Sequence, residues 1–239
     1  GHFATEQVFP LAEASLLWQL PKMLLDPLGP VALSPKYFPK ALPWFIKFIA
    51  NMFQSKRDKN IQALKALNER AIDYYRPLLK RADAEYLLTE KGSLLVFEHT
   101  PVAKIEKMME MYQSQGVPVK LLGKQQTLAL EPKLHSNIQY SLYFTDVAHT
   151  INPLELSKKL AQFAKQLGCS YQQLDVEKIS NNNGTISLMT NNAELEFDHL
   201  ILATGAWSEK LLAPLGYRLP IEAERGYSLD LSNSTLDCL

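Results

Sequence analysis

The spacing of apolar positions changes several times along the chain, and each change marks an element. From about Lys59 to Lys80, Ile61, Leu64, Leu67, Ala71, Ile72 and Tyr75 recur every three or four residues. That spacing predicts a helix whose last turn is disturbed by Pro77. Val102, Ile105, Met108, Met109 and Tyr112 predict another over 101–115, closed by Gly116. A short helix is expected over 124–130, ended by Pro132. The most completely written start is Asn152-Pro153-Leu154-Glu155: an N-cap, a proline at the first helical position and a glutamate at the third. Leu156, Leu160, Phe163 and Leu167 then repeat at helical spacing until Gly168, which predicts a helix over 153–167.

Elsewhere the period is two. Leu87-Leu88 and Leu94-Leu95-Val96-Phe97 flank Glu90-Lys91-Gly92-Ser93, predicting a hairpin that turns at Gly92. A short strand is expected at 117–122, and a half-buried one where Ile138, Tyr140, Leu142 and Phe144 alternate. Runs at 169–173, 175–179, 185–189 and 194–197, punctuated by Asn183-Gly184 and Asn191-Asn192, predict a small antiparallel meander. His199-Leu200-Ile201-Leu202-Ala203 has the continuous apolar character of a strand buried on both faces. It ends at Thr204-Gly205-Ala206-Trp207-Ser208, before a short helix to Ala213, a connection from Pro214 to Pro220 and a last strand over 221–231.

Prolines qualify the picture near the start. Seven of the fourteen lie in the first 43 residues, which predicts short turns and extended pieces there rather than a long helix. The apolar run Trp44 to Phe53, interrupted only by Lys47 and Asn51, predicts a helix packed in a core or at a domain interface; a lip touching a membrane surface is its alternative role.

Charge excludes several classes. The 25 basic and 25 acidic residues cancel, unlike the basic excess of a nucleic-acid binder. No apolar run approaches the ~18 residues of a membrane span. Two cysteines cannot staple a secreted scaffold, so a reducing, cytoplasmic compartment is expected. Cys169 should be buried and inert, Cys238 exposed. His99, His135 and His199 share no ligand spacing, and no metal site is expected. With Gly1-His2-Phe3 at one end and Asp237-Cys238-Leu239 just past a predicted strand, the chain reads as an internal piece of a longer protein.

The chain contains no Gly-x-Gly-x-x-Gly, phosphate loop, His-Glu-x-x-His or nucleophile elbow. What remains is a predicted strand ending in Ala203-Thr204-Gly205-Ala206, where small residues let backbone approach a ligand; a merely structural turn is the other reading. Its context adds weight. The order helix, meander, apolar strand, Thr-Gly-Ala-Trp-Ser resembles the second half of the FAD domain in the D-amino-acid oxidase-like flavoproteins, which include glycine oxidases, sarcosine oxidases and D-amino-acid dehydrogenases. The segment 146–153, Val176, Leu202-Ala203-Thr204-Gly205-Ala206-Trp207-Ser208 and the Pro220 to Ser228 stretch with Arg225-Gly226 carry the likeness.

The resemblance implies an α+β chain: a mixed, mainly antiparallel substrate-domain sheet with helices, plus part of an FAD-binding α/β domain. Residues 1–152 would be most of the substrate domain, 153–213 a partial FAD domain with its meander, and 214–239 a return strand. Strands near 86–98, 138–145 and 221–231 would share the sheet. Val176, Ala203, Thr204, Gly205 and Trp207 would lie along FAD, Trp207 packing beneath it. Residues 1–4 would run beside the isoalloxazine, with His2, His149, Arg225 and Tyr227 near substrate. By its own context His149 is a loop histidine beside a cap, Arg225 a partner for Glu222 or Glu224, and Tyr227 a core aromatic. The implied activity is oxidation of a D-amino acid or related amine by hydride transfer to FAD, in the parent rather than this piece, with peripheral contact at the inner face of a membrane. A non-catalytic binding module and an NAD-linked oxidoreductase are the competing classes.

Overall fold

The computed structural model describes residues 1–14, 17, 18, 20, 22, 23, 26, 36–182, 184–221, 226 and 227. Two compact units emerge, Gly1–Gln166 and a second beginning at Leu167.

The first unit is built on a three-stranded antiparallel sheet with β5 (Tyr140–Phe144) between β3 (Ser93–Phe97) and β4 (Val119–Gly123). Phe144 faces Ser93 on one side and Val119 on the other. Helix α4 (Val102–Ser114) packs on β4 and β5, so that Ile105 and Leu142, both fully buried, meet with Val8, Val117, Val119, Phe144 and Val147. Tyr112 sits edge-on to Phe9 and Phe144, with ring centroids 5.2 and 4.9 Å away. Alternation predicted a half-buried β5, but Ser141 is also fully buried. Its hydroxyl lies 2.8 Å from that of Thr127 on α5 (Lys124–Leu130), so the strand is covered on both faces and the polar pair is satisfied.

A second small sheet places β6 (Ala148–Thr150) between β1 (His2–Phe3) and β2 (Leu88–Thr89). Leu79 of α3 (Ala71–Arg81), Ala84, Leu87 and Leu156 of α6 (Pro153–Gln166) form its core, with Phe3 edge-on to Tyr75 at 4.6 Å. The Arg81 guanidinium lies 5.2 Å from the ring centre of Phe163, tying α3 to α6. The cap at Asn152 is present: its Oδ1 accepts from the Glu155 N–H at 3.0 Å.

Several local expectations are overturned. Leu88–Thr89 and Ser93–Phe97 do not pair as a hairpin; they belong to different sheets. Gly92 is the crossing point, with φ +79° and its N–H donated to Val147 O at 3.1 Å. A Cβ there would stand 2.5 Å from Phe144 O, so close approach to β5 rather than a two-strand turn dictates the glycine. The helix expected over 59–80 is two, α2 (Gln54–Asn68) and α3, and α3 continues past Pro77 to Arg81. The proline-rich start contains a 13-residue helix, α1 (Phe38–Ala50), with Pro39 in its first turn, where the missing N–H costs nothing, and Pro43 inside. No α1 side chain is buried, and Phe38, Leu42, Trp44, Ile46 and Ile49 are exposed, contrary to the expected core packing.

In the second unit β7 (Val176–Asn182), β8 (Thr185–Thr190) and β9 (Glu194–Phe197) form the expected meander, closed over Ile179 and Ser187. The run at 169–173 is not a strand, and Cys169 is exposed rather than buried. Nor is 199–203 a strand: Ile201 is 91% exposed. A strand takes its hydrogen bonds from its neighbours, and among the described residues no strand pairs with this segment. The strand expected over 221–231 and Cys238 lie outside the described residues, apart from Ile221, Gly226 and Tyr227.

Candidate functional site

The β1–β6–β2 sheet brings two of the expected residues together. His149 is in the middle strand, paired with His2 on one side and Thr89 on the other. It is therefore a strand residue, not a loop histidine beside a cap, and His2–Phe3 is a strand rather than a free loop. Directly opposed residues in an antiparallel pair project to one face. The two imidazoles accordingly stack, with centroids 6.4 Å apart and planes 20° from parallel.

Glu6 completes the cluster. The chain turns just after β1, with Gln7 N–H donating to Ala4 O at 3.1 Å, and this returns Glu6 towards His2. His2 Nε2 lies 2.8 Å from Glu6 Oε1. The Glu6 side chain keeps 12% of its surface and that of His2 41%. Glu6 Oε2 is buried without a hydrogen-bond partner, as is Thr150 Oγ1 on β6. Burial, chiefly, holds the His149 pKa below the usual 6.5, helped by His2, the terminal amine and Lys91, so the ring is neutral near neutral pH. Sequence reasoning missed Glu6. Its signal was there in an acid four residues after a histidine, but only the turn gives that spacing meaning.

Around this cluster the chain is tied by polar links. Arg76 on α3 grips Glu90 with two bonds, Nη2–Oε2 2.6 Å and Nε–Oε1 3.0 Å, and also donates to Asp73. The Arg76 bond holds the Glu90 carboxyl below its ordinary range. Tyr86 donates to Glu155, joining the 3-10 turn Glu85–Leu87 before β2 to the start of α6. A separate open cleft borders Thr5, Lys65, Glu69, Arg70, Asp73 and Asp146, and none of the expected site residues lines it.

The expected cofactor residues lie in the second unit. Val176 opens β7 opposite Thr190 and is 37% exposed. Ala203, Thr204 and Gly205 are exposed and run into a single 3-10 turn, Gly205–Trp207, followed by α7 (Ser208–Leu212) against β7. Gly205 has φ +56° and no atom within 4 Å of where a Cβ would stand. Thr204 Oγ1 and Ser208 Oγ, 3.0 Å apart, fasten the turn. Trp207, expected beneath a dinucleotide, is 74% exposed. Val176, Ile201 and Trp207 are thus all exposed, and the backbone at Gly205 is open.

Tyr227 is 91% exposed rather than a core aromatic, and Arg225 lies outside the described residues. Among the described residues no group of His, Cys, Asp and Glu could hold a metal ion.

Residues 33–237 match the family described as DAO: FAD dependent oxidoreductase. The chain is 28% identical over 235 residues to a D-amino-acid oxidase of Bradyrhizobium diazoefficiens, covering 98% of this chain and 56% of that protein. It is 28% identical over 220 residues to a D-amino acid dehydrogenase of Vibrio cholerae, covering 88% and 51%. The chain thus spans about half the length of the curated relatives it matches. Among solved structures, glycine oxidase from Bacillus cereus superposes with a TM-score of 0.53 at 26% identity, over 61% of this chain and 41% of that one. Glycine oxidase from Geobacillus kaustophilus reaches 0.56 at 20% identity over 90% and 46%, a likeness of fold.

Proposed function

The chain belongs to the DAO family of FAD dependent oxidoreductases, and on that premise we propose that it is part of an enzyme oxidising a D-amino acid or related amine. The observation that carries this reading is the family match, together with relatives that are D-amino-acid oxidases and dehydrogenases over nearly the whole chain. It favours an oxidoreductase over a non-catalytic binding module or an NAD-linked enzyme. When bound, FAD supplies the hydride acceptor for the substrate's Cα–H. The protein's part is to bind, orient and exclude water.

We assign residues 1–152 to the substrate side, 153–213 to the cofactor side and 214–239 to the return towards the substrate domain. Val176, Ala203, Thr204, Gly205 and Trp207 would hold FAD; His2, His149, Arg225 and Tyr227 would face substrate, Arg225 through a bidentate bond to its carboxylate. Supporting the cofactor assignment are the exposure of 203–205 and the empty space around Gly205. Anaerobic bleaching of the parent's flavin absorbance by D-amino acids, glycine or secondary amines tests the activity. A flavin that binds but is bleached by none of them would sink it. FAD titration of this chain should show far weaker binding than the parent's, and equal affinity would mean that residues 1–239 hold the cofactor unaided.

Location has its own observation. No described helix is long and apolar enough to cross a membrane. On α1, however, Phe38, Leu42, Ile46 and Ile49 share an exposed apolar stripe that Phe53 extends. Lys36, Lys40, Lys47 and Lys56 flank it, and residues 27–57 contain no acid. This favours peripheral contact with an anionic bilayer, at the inner face of a membrane. Sedimentation with anionic but not neutral vesicles, lost on Ile46→Asp, is the expected outcome; equal recovery with both would dismiss it.

A further inference from the structure

We propose that His2 is the acceptor of the proton that a substrate ammonium must lose, and that Glu6 is the positioning residue that readies it. The inference rests on the amine-oxidising reading above. An amino acid arrives as an ammonium, whose nitrogen has no lone pair to assist departure of hydride from Cα. Some group must first take one proton. An imidazole is suited to this near neutral pH.

The geometry around His2 meets the requirement in three ways. A carboxylate only accepts hydrogen bonds, so the 2.8 Å contact puts the His2 proton on Nε2 and leaves the Nδ1 lone pair free. The ring keeps 41% of its side-chain surface, whereas Glu6 keeps 12%: the acceptor is reachable and its support is not. Glu6 Oε2 is buried with no hydrogen-bond partner, so the carboxylate is confined beside the ring it contacts.

The step is a proton transfer without change of oxidation state. One N–H bond of the ammonium breaks, an Nδ1–H bond forms, and the positive charge moves from substrate to a ring already bonded to Glu6. His149, stacked at 6.4 Å, stays neutral and neither repels that charge nor competes for the proton. Among the described residues, Lys91 also acts on His149, and Glu6 acts on Tyr112. The hold on His2 is short-range: β1 is two residues long, paired only as His2↔His149 and Phe3↔Ala148. Thr150 N–H reinforces it by donating to Gly1 O at 2.7 Å.

Two measurements test the assignment. In the parent enzyme, His2→Gln should lower kcat/KM about 100-fold near neutral pH. The loss should shrink as pH approaches the amine's own pKa, where the substrate is already neutral in solution. Glu6→Gln should fall between His2→Gln and the unmodified enzyme. In this chain, imidazole nitrogen shifts of His2 should report the Nε2–H tautomer, replaced by a mixture in Glu6→Leu. A loss that is the same at every pH, no loss at all, or an even tautomer mixture in the unmodified chain would overturn the proposal. A parent that oxidises no amine would remove the reading it stands on, and the tautomer signature would remain as the mark of the Glu6–His2 pair alone.

Discussion

Strand β5 and the segment 199–204 are both largely apolar and opposite in environment. Leu142 is fully buried between α4 and the flanking strands, while Ile201 is 91% exposed. The difference is one of partners. β5 has β3 on one side, β4 on the other and a helix over each face, so its backbone and side chains are all engaged. The 199–204 segment has no strand beside it among the described residues. An apolar run therefore becomes a buried strand only where something else in the molecule completes it. The same contrast separates two groups of residues: the His2–Glu6–His149 cluster is held by pairs within the first unit, whereas 203–207 in the second unit stands open.

Substitutions can break this comparison. Leu142→Ala should cost about 2–5 kcal/mol by leaving a cavity in a closed core, read as a shifted midpoint in denaturant. Gly92→Ala comes next, at roughly 1–3 kcal/mol, because a side chain at φ +79° meets Phe144 O. Asn152→Ala should cost about 1 kcal/mol by removing the acceptor of the Glu155 N–H, and Asn152→Ser should restore most of it. Ile201→Ala should stay within about 0.5 kcal/mol. A loss as large as that of Leu142→Ala would show that 199–204 is packed after all.

The smallest effect is that of pH. The folded-state pKa of His149 lies below the ordinary 6.5, so the unfolded chain takes up its proton first as pH falls. Its contribution is complete above about pH 6.5 and is lost as pH drops through the folded value. His149→Gln should flatten that part of the stability profile, and an unchanged slope in thermal melts at successive pH values would assign the loss elsewhere.

Local chemistry was readable where a segment carries its own reasons. The helix after Asn152 has its cap, its proline, its stripe and its stop in one stretch, and it forms over Pro153–Gln166. The meander formed because each strand's neighbour follows within a few residues. Lys124–Leu130 matched because Gly123 and Thr127 complete its start, Thr127 Oγ1 donating to Gly123 O at 3.0 Å. Gly92 misled because turn chemistry and close backbone approach both select glycine, and only the neighbour reveals which applies. The run at 44–53 misled differently: its helix formed, but apolarity does not name what covers it.

For the site, the Thr-Gly-Ala-Trp-Ser segment and its family likeness were legible because they are contiguous. His2 and His149 were legible as candidates but not as a pair, since 147 positions separate them. The sequence by itself determined the helices with complete end signals, the meander and the family. Tertiary structure decided which glycine is a crossing point, which apolar runs are buried, and that two histidines and Glu6 form one cluster. The physical reason is that caps and short hairpins draw their hydrogen bonds from residues nearby in the chain, while burial and charge proximity depend on residues that only the fold brings together.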